Sequence, residues 1–405
     1  MKRYKVKIYL LLLFPLSLLL NYIASLNPNF IEKYYSSKIN RFTIEVISSI
    51  TNFIPFSLYE ITVISAIIGF IVYLIYTLIE IIKETPSQFI PRSDSLSKLQ
   101  ILNQRFRISL KFKYPNHRFG FSIKERRAHK NKFINFLLNC FVVLSISYFL
   151  FIILWGLNYN RVPLDESMGM NNKKYTVKEL GELYEYLIDK TNLLREEITV
   201  DDNNIATVEG GYKSVLKRAT LGYDIASKEY ETLEGSFGTP KKLLLSEFFN
   251  YTGITGIYFP YSGQSGVNVN APLMTIPATT IHEMAHQRGY AREDEANFIA
   301  FLVSAMHPDK DFQYSGYILA LSYTGSALYE ADLELYETLS LKKSENVERD
   351  RLYRIEFWDK YSGKIEELSS KVNDTYLKSN GVSDGEKSYG RMVDLLLNYY
   401  MEYIK

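Results

Sequence analysis

Cysteine is nearly absent: the 405 residues hold one, Cys140, and it lies in an apolar run. An intramolecular disulfide is therefore impossible, and a cysteine-ligated metal site is excluded. Histidine is scarce too, with five in the chain, so a metal site would have to combine few imidazoles with carboxylates. No internal repeat or long low-complexity tract is present, which sets aside repeat architectures. The net charge of +2 is small, but it hides a division. Residues 1–157 carry 20 basic and 7 acidic residues, a net +13, and residues 158–405 carry 27 and 38, a net −11. Such a split says that the two halves face different surroundings.

Charge is missing from the centres of three apolar stretches, residues 8–26, 61–82 and 133–157. Each is long enough to cross the hydrocarbon core of a bilayer. The basic leader MKRYKVK would suit a cleaved signal peptide. The apolar run behind it is longer than a signal core and has no clean small-x-small site, so it reads as an uncleaved anchor. The 83–132 loop carries 13 basic residues against three acidic, while the 27–60 loop carries three of each. Positive residues stay inside. The reading is a multi-pass protein of the cytoplasmic membrane with its N-terminus and the 83–132 loop in the cytoplasm. Residues 27–60 and 158–405 are then outside. The basic loop is expected to meet anionic lipid, with the bilayer as partner and no nucleic acid. Trp155 reads as an interfacial anchor of the third span.

From Leu164 onward the pattern is mostly helical. Thr176-Val177-Lys178-Glu179 predicts a capping box, followed by Leu180, Leu183, Tyr184 and Leu187 at helical spacing. A second helix is expected over residues 209–230. The stretch ITGIYFPYSGQSGVNVNAP differs: SGQSG is a turn signal. After it Val267 and Val269 alternate with Asn268 and Asn270, as in a half-buried strand. Pro272 and Pro277 end that strand and open the next helix. The remainder is helical, with breaks at residues 307–311 and turns at Asn380-Gly381 and Asp384-Gly385.

That next helix holds His282-Glu283-Met284-Ala285-His286, an H-E-x-x-H pattern. Positions i and i+4 share a helix face, so both imidazoles can reach one ion. Neutral imidazole without thiolates suits Zn²⁺, one per chain. Glu283 falls beside the ion's open position, where it can act as general base. For the third ligand, Gly289 stands where metzincins turn the chain, but Arg292 occupies their last ligand position and cannot ligate. Glu293, Asp294 and Glu295 follow. Glu293 and Asn297 have the i, i+4 relation of a gluzincin ligand and its supporting residue. Glu295 lies about 200° around the helix from Glu293, so the two cannot both face the ion. Glu293 is preferred as ligand with Asn297 behind it, and Glu295 is the alternative. Asp294 reads as solvated or as a helix N-terminal charge.

The arrangement resembles gluzincin-type zinc metallopeptidases. GIYFPYSGQSGVNVNAP, HEMAHQRGYAREDEANFIAFL and NGVSDGEKSYGRMVDLLLNYY more closely resemble the uncharacterised bacterial membrane family DUF3810. That resemblance includes WGLNYNRVPL at the end of the third span. It implies the H-E-x-x-H site and leaves the substrate unspecified. The gap between His286 and Glu293 is shorter than in ordinary gluzincins. The expected fold is mainly α: three N-terminal transmembrane helices, then a zincin-like α+β extracytoplasmic domain over residues 158–405. Its small β element precedes the active-site helix.

Such a site would hydrolyse peptide bonds of a cell-envelope peptide or protein, with Glu283 moving the proton. Val267, Asn268, Val269 and Asn270 form a candidate edge strand for an extended substrate. Tyr389 and Arg391 are candidate transition-state donors, as are Tyr314 and Tyr317. Arg288 and Arg292 read as structural ion-pair partners of the neighbouring acids. Two other readings stay open: a non-catalytic zincin-fold sensor or assembly protein, and a zinc hydrolase of cell-wall amides.

Overall fold

The computed structural model describes residues 2–83, 123–170 and 173–405, and of residues 2–4, 82–83, 123–130 and 387–389 the backbone alone. Residues 84–122 of the basic loop lie outside the described residues. Three helices are long and apolar enough to cross a membrane: Lys5–Ser25, Leu58–Ile81 and Asn131–Leu154. The first is interrupted at Leu12, between α1 (Lys2–Leu11) and α2 (Leu13–Ser25). Pro15 explains the break, because its ring removes an N–H and crowds the carbonyl one turn earlier. The third ends at Leu154, three residues before the expected limit, because Trp155 leaves helical geometry at φ −147°.

The described residues form two compact units, residues 1–13 with 63–146, and residues 14–62 with 147–405. In the first, Asn139 Nδ2 donates to Tyr73 Oη at 2.6 Å, and Lys132 pairs with Glu80 at 3.2 Å.

The second unit joins the segment between the first two apolar helices to the C-terminal part of the chain. A π-helical stretch, Ile31–Asn40, runs into α3, Arg41–Thr51. Asn40 Nδ2 donates to the Leu154 carbonyl at 2.7 Å, and Tyr35 Oη to that of Ile153 at 3.0 Å. These bonds take up carbonyls at the end of the third apolar helix that have no helical partner.

The capping box forms as expected, with Thr176 and Glu179 bonding each other's backbone at the start of α4, Val177–Arg195. The helix expected over 209–230 is two shorter ones, Gly211–Arg218 and Thr220–Ala226. Gly210 and Gly211 both take positive φ, which no helix interior accommodates, so the first cannot start earlier.

The sheet has three strands: β1 (Lys241–Lys242), β2 (Gly256–Phe259) and β3 (Gln264–Val267), in the order β1-β3-β2. β3 runs antiparallel to β2 and parallel to β1. The expectation of an edge strand at residues 267–270 is thus corrected. Val267 faces both Gly256 and Lys242, and beyond it the chain leaves the sheet. Val267 and Asn268 are both buried, and the exposed Asn270 lies beyond the end of the strand. Asn268 Nδ2 donates to Asn250 Oδ1 and the Ile254 carbonyl, which satisfies its amide internally.

Behind the sheet stand α5 (Ile276–Gln287), α6 (Glu293–Met306) and α7 (Lys310–Ala331). α5 and α6 are buried along most of their length; Ile281, Met284, Ala285, Phe298 and Leu302 belong to the main core. The expected break between α6 and α7 is present, with His307 at the cap. Further helices include α8 (Lys364–Ser379) and α9 (Met392–Tyr399), and Gly381 makes the turn after α8 at φ +93°.

Candidate metal centre

α5 carries the two histidines one turn apart, and three neighbours lock its position. Ser265 Oγ donates to the Glu283 carbonyl at 3.0 Å, Gln287 Nε2 to the Gly263 carbonyl at 2.8 Å, and Tyr223 Oη to the Ile281 carbonyl at 2.8 Å. The helix stops at Gly289, whose φ of +80° is a left-handed C-cap. That turn aims the Tyr290 carbonyl back at the helix. His286 Nδ1 donates to it at 2.6 Å, since a carbonyl can only accept. The hydrogen bond fixes the tautomer and leaves Nε2 facing the site.

The chain then starts α6 at Glu293, and this explains the short gap: the carboxylate that joins the two histidines sits on the first turn of the returning helix. Glu293 Oε2 lies 3.2 Å from His282 Nε2 and 3.7 Å from His286 Nε2. The three residues could hold a metal ion. Tetrahedral zinc with ligands about 2.0–2.2 Å away separates its ligand atoms by about 3.3–3.6 Å, and the two Glu293 distances lie within about 0.1 Å of that range. His282 and Glu293 keep 14% and 15% of their side-chain surface exposed, so the group is enclosed and still reachable.

The charges follow from this enclosure. Burial opposes ionisation of Glu293, but the two imidazoles outweigh it and hold its carboxyl well below the usual range. Burial likewise opposes charge on His286, and Glu293 overrides it, raising the imidazole to about 9. Glu283 goes the other way. Burial pushes it up to about 7, with the two histidines pulling against it. Among the described residues, Glu283 Oε2, His282 Nδ1 and Tyr258 Oη are buried without a hydrogen-bond partner. Unsatisfied buried polar atoms are costly, and two of these belong to the H-E-x-x-H motif.

Other expected site residues lie elsewhere. Glu295 Oε1 accepts from the Leu164 N–H at 3.0 Å and from Arg292 at 2.9 Å, so the alternative ligand is committed to an ion pair. Asn297 donates to Tyr323 Oη at 3.2 Å rather than to an imidazole. Asp294 is buried, not solvated, and pairs with Arg391 at 2.9 Å. Arg391 also gives Nη1 to both oxygens of Asp384, so its Nε and Nη1 are taken up in that clamp. The Tyr389 side chain lies outside the described residues. Tyr314 donates to Asp350, and Tyr317 meets Tyr186. Arg292 forms its ion pair. Arg288 instead donates to the carbonyls of Leu233, Met284 and Gly235 and stacks over Tyr223.

Several residues around the site were not assigned to it from the sequence. Trp155 is 5% exposed, and its ring meets that of His286 edge to face at 5.5 Å and that of Tyr258 at 4.8 Å. It is a wall of the site, not a free interfacial anchor. Gly256, on β2, lies directly against Glu283. Tyr323 is pushed up to about 12, by burial first and then by the charge of Glu293. Arg161 holds the 288–290 turn from behind. It donates to the Arg288 carbonyl, stacks on Tyr290 and pairs with Glu32 through two bonds of 2.7 Å.

No curated protein and no solved structure matches the chain. Residues 104–397 match a family described as a protein of unknown function, DUF3810. That match covers well over half of the sequence, and the chain belongs to the DUF3810 family.

Proposed function

We propose that the chain is a membrane-anchored, zinc-dependent peptidase that works outside the cytoplasmic membrane. The observation that carries this reading is the buried Glu283 carboxyl beside the His282, His286 and Glu293 group. A divalent metal bound there supplies Lewis-acid activation of water and of a carbonyl. His282, His286 and Glu293 would hold it. Glu283 accepts the proton that water loses and returns it to the leaving amine, and a carboxyl near 7 suits both transfers. Trp155 and Tyr258 close the His286 side against bulk water. An extended peptide would lie along β2, which pairs on one side only among the described strands and brings Gly256 to Glu283.

Orientation rests on the 13 basic residues of the 83–132 loop. A reporter fused after Lys405 should be active only outside the membrane; activity inside would reverse the topology. The enclosure of the metal group also suits a second reading, a zincin-like fold that binds metal without turnover. The experiment is metal analysis of the detergent-purified full chain, paired with cleavage of a peptide library. Stoichiometric zinc with metal-dependent cleavage supports the peptidase. Zinc without cleavage favours the second reading, and no metal removes both.

A further inference from the structure

Helix α3 has two faces that both carry apolar side chains. Ile44 and Ser48 lie buried on one, where they pack on Gly263 and Gly238. Further ties run along that side: Thr51 Oγ1 donates to the Ser262 carbonyl, and Glu45 and Asn52 accept from the Ser236 and Thr239 N–H groups. The opposite face shows Phe42, Val46 and Ile50 at i, i+4 and i+8, one continuous stripe. Phe42 is 69% exposed and Ile50 67%. Ile39 before the helix and Phe53 after it extend the stripe, and Phe53 is 91% exposed.

The chain restricts where this stripe can be. Apolar helices long enough to cross a bilayer, Lys5–Ser25 and Leu58–Ile81, stand on both sides of it in sequence. Residues 53–58 are few enough that Phe53 stays within about 18 Å of the start of the second one, even fully extended. A second exposed apolar group lies at that same start. The Leu244 and Leu245 N–H groups donate to the buried carboxylate of Glu60 at 2.7 and 2.6 Å, which leaves the Leu244, Leu245 and Phe248 side chains exposed. Glu60 is in the first turn of the second apolar helix. Apolar stripes of this size in water mark a contact with lipid or protein. An amphipathic helix tethered between two spans has the bilayer surface within reach.

We propose that α3 is an interfacial helix. Its Ile39, Phe42, Val46, Ile50 and Phe53 face lies in the boundary between headgroups and acyl chains, and its Ile44 and Ser48 face carries the C-terminal part of the chain. This assignment does not depend on the metal centre being active.

The test uses the full chain in lipid nanodiscs, with Cys140→Ala removing the native thiol. Single cysteines at Phe42→Cys, Ile50→Cys and Phe53→Cys carry an environment-sensitive fluorophore. Leu341→Cys, at a position 86% exposed, is the water-facing control. The proposal expects blue-shifted emission at the three stripe positions and loss of most of it when the lipid acyl chains are brominated, with Leu341→Cys unaffected. Water-like emission at Phe42→Cys and Ile50→Cys overturns it. Blue-shifted emission that brominated lipid does not quench also overturns it, and points to a second copy of the chain on that face.

Discussion

Gly256 on β2 lies so close to Glu283 that a Cβ there would overlap the carboxylate. Only glycine leaves room for both the strand and the acid. Gly256→Ala should therefore displace the Glu283 side chain while leaving His282, His286 and Glu293 in place. The expected outcome is retained zinc and hydrolysis reduced by about tenfold or more, the low end of what misplacing a catalytic group costs. Zinc content and peptide cleavage measured on one preparation check it. Unchanged cleavage would mean that the acid does not act where it stands.

The two glutamates on α6 should separate cleanly. Glu293→Gln removes the carboxylate that faces both imidazoles. It should weaken metal binding by more than the roughly 10–100-fold typical of a change outside the ligands. Glu295→Gln breaks the pair with Arg292 and should lower stability, by about 1–3 kcal/mol for a weakened buried hydrogen-bond network. It should keep stoichiometric metal. The opposite pattern in metal analysis would assign the ligand to Glu295.

Metal affinity should depend on pH in a stated direction. In the metal-free protein His286 is raised to about 9, where the charge of Glu293 outweighs the cost of burial. Below that value a proton occupies the imidazole and must leave before metal binds. Affinity should climb by about tenfold per pH unit from roughly pH 7 to 9 and then level off. Competition with a chelator at several pH values measures it. A flat profile over that range would contradict the placement of Glu293 against His286.

Glu32 lies far from the histidines in sequence, yet its pair with the buried Arg161 supports the turn that supplies the Tyr290 carbonyl. Glu32→Gln leaves Arg161 without its acid. Breaking such a pair costs roughly 3 kcal/mol, read as a lower thermal midpoint. A midpoint equal to the parent's would show that Arg161 is satisfied by carbonyls alone.

How much was legible in the sequence follows from how local each signal is. The histidine pair was legible because helical periodicity alone brings i and i+4 together. The three apolar helices were legible from composition and length. Glu293 was chosen through its spacing to Asn297, but the structure brings it to the histidines through the Gly289 turn, while Asn297 goes to Tyr323. The edge strand was misplaced because β1 comes from residues 241–242, and no local pattern announces a partner more than twenty residues upstream. Trp155 looked like an interfacial residue because its neighbours in sequence are apolar. Its contact with His286 joins positions 131 residues apart, which only tertiary packing creates. Helix α3 was passed over as part of the loop between the first two spans, whose orientation was argued from charge alone.

Glu283 is proposed to perform chemistry at a metal held by its neighbours. Glu283→Gln keeps the shape of the side chain and removes the proton acceptor. Zinc content and single-turnover hydrolysis of a cleaved library peptide, measured on the full chain in detergent, test it most directly. The expected result is zinc equal to the parent's and hydrolysis lower by about two orders of magnitude or more, the scale of general-base contributions. Loss of zinc in this variant, or hydrolysis equal to the parent's with zinc retained, would contradict it.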